Sequence, residues 1–255
     1  MLTKTKAGQF HQLLAVMGDK VQQGNKLLAE AAKTFQKGEM FEGYLRTYTP
    51  FDEAGDKQPD EGKELITTVT EKLDFILPYL ADSINVQLSR EASNASGGLK
   101  ANLLIGDRDF GEFSSQELLQ LEKSVRELRE HIVNNLPTLD MAKAWKENDD
   151  ERDGTSVTQE APTYRYVEET VPVVLAPATD KHPAQVREAV KKTQVGEFSR
   201  RIVSGKISPA VKADMMSRVD KMLSAIADAR SRANSNEATN VKFGFELLKF
   251  LFYNQ

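Results

Sequence analysis

Apolar residues spaced alternately by three and four positions are the feature that most limits what this chain can fold into. The first series is Phe10, Leu14, Met17, Val21, Gly24, Leu28, Ala31 and Phe35. Such spacing places every member on one side of an α-helix, and a stripe of that length needs a partner surface. Gly24 stands in the seam, where a missing side chain lets another backbone approach. A second series, Leu118, Leu121, Val125, Leu128 and Ile132, follows Ser114 and Glu117, which have capping-box spacing, and stops before Pro137. A third, Met215, Val219, Met222, Ile226, Ala229 and Ala233, is introduced by Ser208 and Pro209, a common helix start. A fourth helix is predicted over about 69–90, through Val69, Leu73, Ile76, Leu80, Ile84 and Leu88. Pro78 is expected to kink or split it, because it lacks an N–H and its ring crowds the preceding turn.

Between these helices lie segments of β character. Residues 100–113 read as a short hairpin. Residues 163–175 are rich in β-branched and aromatic side chains and bounded by prolines, as strands often are. Over 185–200, Val186, Val190, Val195 and Phe198 do not share a helical face, which favours two strands around Lys192 over a helix. Two turn-rich acidic stretches, 51–64 and 146–160, carry few apolar residues and are read as flexible connectors. The fold class predicted is α+β: long amphipathic helices packed with a small, mainly antiparallel sheet, in one compact unit over 1–255.

Composition narrows the function classes. A net charge of −4 is too small to argue for a nucleic-acid or membrane partner. The absence of cysteine excludes disulfides, thiolate metal sites and a cysteine nucleophile, and fits a cytoplasmic location. No apolar run near the N-terminus has the length of a signal peptide, and none elsewhere has the length of a membrane span.

Several phrases occur together in a characteristic order: RTYTPFDEAGDKQPDE, LPTLDMAKAW, ATDKHPAQV, SGKISPAVKADMMSRVDKML and ADARSRANSNEA. On these the chain resembles an uncharacterised family of bacterial and phage proteins, best known from actinobacteria and their phages. The resemblance runs from about residue 10 to the end. It implies a continuous domain unit, strands over 185–200 and a helical C-terminal tail; it implies no activity.

The candidate sites are few. His182 lies in a proline turn with Lys181 and Gln185 close in sequence. The plain reading is a surface turn; the functional reading is contact with an anionic ligand. Catalysis would need an orienting partner and a nucleophile, and no motif supplies either. His11, His131 and His182 include no i, i+4 pair, so no metal site is predicted, and no cofactor is expected. Asp107, Asp109 and Glu117 resemble a calcium loop, but counting from Asp107 the glycine falls fifth and the glutamate eleventh, out of EF-hand register. Arg46 and Tyr48, two apart on an extended segment, point to one side and complement His182 as anion-binding groups. The plain reading of Arg46 is an ion pair with the acidic connector just downstream. From Lys181 to Lys206 positive residues exceed negative ones, but a solvated face explains such a run better than nucleic acid does.

The C-terminal tail VKFGFELLKFLFYNQ is apolar nearly all round if helical, so Phe243, Phe245, Leu248 and Phe252 are expected to be covered by the chain's own core or by a neighbouring subunit. With Gly24 they form the predicted oligomer interface. The function expected is therefore that of a non-enzymatic, homo-oligomeric protein, associated with a phage or mobile element. The alternative is a binder of an anionic small molecule such as a nucleotide, using Arg46, Tyr48, Lys181, His182 and Gln185. An acid–base hydrolase centred on His182 is a remote third reading.

Overall fold

The computed structural model describes residues 10–94, 100–148, 152–178 and 182–234. In chain order the elements are α1 (Phe10–Phe35), a turn of 3-10 helix (Gly38–Phe41), β1 (Glu42–Pro50), β2 (Glu61–Lys63) and α2 (Val69–Asn94). The hairpin β3 (Lys100–Ile105) and β4 (Arg108–Ser114) leads into α3 (Ser115–His131). After it come β5 (Lys146–Glu147), β6 (Ser156–Gln159), β7 (Thr163–Ala176), β8 (Gln185–Ser204) and α4 (Pro209–Asn234). The fold is α+β, with antiparallel pairing between all the named strands. No helix among the described residues is long and apolar enough to cross a membrane.

The predicted helix starts owe their positions to caps. At α3 the Ser114 N–H donates to Glu117 Oε2 at 2.8 Å and the Glu117 N–H donates to Ser114 Oγ at 3.2 Å, the reciprocal pair that satisfies two orphan donors. Glu117 is thus engaged in the cap, and the Gly111 N–H donates to Asp109 Oδ1 at 2.8 Å within the hairpin. At α4 the Val211 N–H donates to Ser208 Oγ at 3.2 Å. A second capping box starts α2: Thr68 N–H to Glu71 Oε2 and Glu71 N–H to Thr68 Oγ1, both 3.1 Å. Pro78 does not split α2, which is continuous over Val69–Asn94. Ile76 and Leu80, on either side of the proline, are both buried.

The chain gathers into two compact units. The first comprises residues up to Leu27, Tyr79–Glu130 and from Met215 onward. Its core is Leu103 of the hairpin, Leu118 and Val125 of α3, and Ile226, Ala229 and Ala233 of α4. The two alanines are small enough to let α4 lie close to its neighbours. Gly24 is buried against α2: a Cβ there would sit 2.6 Å from Ser83 Cβ and 2.8 Å from Ser83 Oγ. Beside this contact a polar chain joins α2 to α3. Gln87 Nε2 donates to Ser83 Oγ at 3.2 Å, and Gln120 Nε2 to Gln87 Oε1 at 2.6 Å. Glu122, also buried, takes Arg126 at 2.8 Å and Arg230 at 2.5 Å, so its charge is compensated.

The second unit comprises Leu28–Pro78 and His131–Asp214. Its sheet has the order β2-β1-β8-β6-β5, with β7 also paired to β8. Buried apolar residues include Ala31, Phe35, Phe41, Val69, Leu136 and Ile202, with the Phe35 and Phe41 rings 5.8 Å apart. Gly205 bonds across this region through Gly205 N–H to Phe41 O (3.0 Å) and Val69 N–H to Gly205 O (2.8 Å). A Cβ on Gly205 would stand 2.7 Å from Thr68 Cα, which explains the glycine. Of the stretches read as connectors, Glu61–Lys63 forms β2, while Lys146–Glu147 and Ser156–Gln159 form β5 and β6.

β8 is one uninterrupted strand rather than two around Lys192. From Gly196 to Ser204 it pairs with β1; along its other side it pairs with β6 and then β7. Beyond the end of β1, Gln185–Gln194 pairs with β7 alone. The result is a long two-stranded arm. No residue of β7 is buried, and within Gln185–Gln194 only Ala189 is even half-covered.

Candidate functional site

Strand register decides which of the predicted site residues meet. Arg46 pairs with Arg200 and Tyr48 with Phe198, both at the inner end of β8. Gln185 pairs with Ala176 at the far end of the arm, and His182 precedes it, exposed. At about 3.3 Å per strand residue, Gln185 and Phe198 lie on the order of 40 Å apart along β8. The structure thus brings Arg46 and Tyr48 together and leaves His182 and Gln185 far from them. Lys181 lies outside the described residues, as do Phe243, Phe245, Leu248 and Phe252.

Arg46 is already engaged. Its Nη1 lies 3.0 Å from Glu61 Oε2, and its guanidinium carbon lies 3.9 Å from the centre of the Phe198 ring. The ion pair with the acidic stretch downstream is the plain reading of the sequence, and Glu61 is the partner. Alternation along β1 and β8 sets Tyr44, Arg46, Tyr48, Phe198 and Arg200 on one sheet face. There Tyr48 and Phe198 pack 4.9 Å apart, and Arg200 lies 4.4 Å above Tyr44. The Tyr48 phenol crosses Gly196, where a Cβ would meet its hydroxyl at 2.2 Å, so only glycine accommodates that orientation.

Where this face meets the base of the arm there is a cavity of about 750 Å³, with Tyr48, Phe51, Asp52, Asp56, Arg165 and Gln194 among its lining residues. Arg165 lies 5.7 Å from the Tyr48 ring centre, and the Phe51 N–H donates to Val195 O at 3.0 Å, tying the loop to the sheet. Glu53 adds a third carboxylate to the lining, so acidic groups outnumber the one guanidinium. Arg165 stood in the sequence between two tyrosines, but its position over Tyr48 follows from the β7–β8 register alone.

Two carboxylates elsewhere in this unit carry shifted acidities. Burial pushes the Glu71 carboxyl up, but hydrogen bonds from Arg152 and the Thr68 N–H, with the Arg152 charge, outweigh it and hold the group below its ordinary value. Arg152 also donates to Leu65 O at 3.1 Å, so it fastens the approach to α2. Glu160 is held low chiefly by its hydrogen bond from Lys143, against the upward push of burial, with Arg200 adding to the effect. Both arrangements fix loops to the sheet and α2. Neither places a base beside a nucleophile, and among the described residues no group of three or more His, Cys, Asp or Glu is set to hold a metal ion.

No curated protein matches the chain, and no solved structure does. A family model does match, over residues 7–254, a span that contains all the quoted sequence phrases. The chain belongs to DUF7873, a family of unknown function.

Proposed function

We propose that this protein is a non-enzymatic unit that associates with copies of itself through the β7–β8 arm. The observation that supports it most is the arm's exposure. Val173, Val174, Leu175, Val186 and Val190 are all exposed, Leu175 at 63% and Val190 at 60%. A two-stranded ribbon is marginally stable in water without a third strand or a packed layer. Val174 lies opposite Val186, and alternation puts Val190 on the same ribbon face; an exposed apolar set of this kind marks an interaction surface. The resemblance to bacterial and phage proteins supports a role in a phage or mobile element, with the cytoplasm as its setting.

The test is light scattering coupled to size exclusion over a range of concentrations. Wild type should show a mass above that of one chain. A variant with residues 169–191 replaced by an Asn-Gly turn, joining Glu168 to Lys192, should fold and elute as a single chain. Wild type at single-chain mass at every concentration refutes the proposal.

A second reading, small-molecule binding, is supported by the cavity at the arm's base. Three carboxylates share it with Arg165. A guest there therefore needs a positive group near Asp52 and Asp56 as well as any anionic group facing Arg165, which argues against a simple anion. Calorimetry with zwitterionic and purely anionic probes, on wild type and on Arg165→Ala, separates the two.

A further inference from the structure

Resting on that self-association, we infer that copies of the chain join edge to edge, the outer edge of β7 in one copy lying against the outer edge of β8 in the next. The open backbone sets the possibilities. Over Gln185–Gln194, β8 has a partner on one side only, and over the same length β7 has only β8. Each arm therefore presents two unpaired edges, a template for adding a strand that is interrupted on β7 at Pro172, which has no N–H to give.

Charge separates the ways of using them. Over Tyr166–Val174 the charged residues of β7 are Glu168 and Glu169. Over Val186–Gln194 those of β8 are Arg187, Lys191 and Lys192, with Glu188 the one acid. One edge strand is acidic and the other predominantly basic. Within the chain they already use this complementarity. Glu168 is opposite Lys192 and Glu169 opposite Lys191, and Lys192 Nζ lies 2.6 Å from Glu168 Oε1. Cross-strand neighbours of opposite sign stabilise a sheet, and like charges directly opposite destabilise it.

If β7 of a second copy adds to β8 in the register the hairpin itself uses, the row of Glu168 and Lys192 and the row of Glu169 and Lys191 alternate in sign across the joint sheet. The uncharged rows also continue: Val171 meets Ala189, Thr170 meets Val190, and Val174 meets Val186. Two β7 edges brought together would juxtapose four glutamates. Two β8 edges would gather six basic residues, offset only where Glu188 falls opposite Lys192 in a pairing centred on Val190. The β7-to-β8 joint is the one in which every acid of β7 faces a base. It is heterologous, so the arms point the same way and the assembly closes as a ring or extends as a filament.

The experiment uses full-length chains: Glu168→Lys/Glu169→Lys, Lys191→Glu/Lys192→Glu, their co-expressed mixture, and the fourfold variant carrying all the exchanges. Light scattering gives the assembled mass, and circular dichroism checks that each folds. Each double variant alone should fall to single-chain mass, because its joint sets like charges face to face. The mixture should recover the wild-type mass, since every joint between unlike copies again has opposite signs. The fourfold variant should assemble as wild type does. If Glu168→Lys/Glu169→Lys assembles as wild type, β7 is not in the joint and a β8-to-β8 pairing replaces this one. A mixture and a fourfold variant that are both folded and dissociated overturn the proposal as well. Single-chain mass for wild type refutes the self-association reading itself, a different result.

Discussion

Replacing Gly24 by alanine tests the close packing of the first unit. In an exposed helix interior this change is stabilising by about 1 kcal/mol, since glycine costs more backbone entropy to order. Here the added Cβ would lie 2.6 Å from Ser83 Cβ and 2.8 Å from Ser83 Oγ, with the Tyr79 carbonyl oxygen behind at 3.7 Å. Both close atoms belong to a short buried side chain that has little room to turn. Overpacking of this kind costs about 1–3 kcal/mol. Displacing Ser83 also disturbs its hydrogen bond from Gln87, worth about 1 kcal/mol. The costs exceed the propensity gain, so the expected outcome is a net loss of about 1–3 kcal/mol in urea unfolding, read as a lower midpoint with unchanged slope. Ser83→Gly removes the clashing atoms, and a double-mutant cycle should show favourable coupling of at least 0.5 kcal/mol between the two sites. A stabilised Gly24→Ala, or strict additivity with Ser83→Gly, would refute the packing argument.

The same reasoning yields other expectations. Gly205→Ala should cost about 1–3 kcal/mol in thermal or chemical unfolding, because its Cβ would press on the Thr68 backbone, which cannot swing aside. Thr68→Ala and Ser114→Ala should each lose about 1 kcal/mol by removing one arm of a capping box, a loss that denaturant titration would detect. Because the folded-state acidities of Glu71 and Glu160 lie below the ordinary carboxylate value of 4.5, their contribution is fully present above that pH. It is lost as pH falls below 4.5 through the folded values, since the unfolded chain takes up the protons first. Stability measured from pH 6 to pH 3 should therefore fall less steeply in Arg152→Met and Lys143→Met than in wild type. Both pairs are well exposed to water, so each effect should stay below about 1 kcal/mol.

The local features of this fold could be read from residue order because their physics is local. Apolar spacing located the helices, Ser114 with Glu117 and Ser208 with Pro209 located two of their starts, β-branched composition located β7, and the lack of a shared helical face favoured strand over 185–200. The capping box at Thr68 and Glu71 carried the same legible spacing. Even the fate of Arg46 was accessible, since its partner Glu61 lies in the acidic stretch that follows it. What composition and periodicity do not encode is which strand lies beside which, and at what offset. That offset is set by pairing between distant segments, and it placed His182 and Gln185 at the tip of an arm whose base holds Arg46 and Tyr48. It also carried Arg165 over Tyr48, laid the Tyr48 phenol across Gly196, and left β8 without a second neighbour beyond Val195. Pro78 shows the same limit from the other side: its local cost to α2 is real, yet α2 runs unbroken over Val69–Asn94. Sequence determined the pieces, and long-range register, fixed by cooperative backbone pairing and burial, decided which side chains share a site.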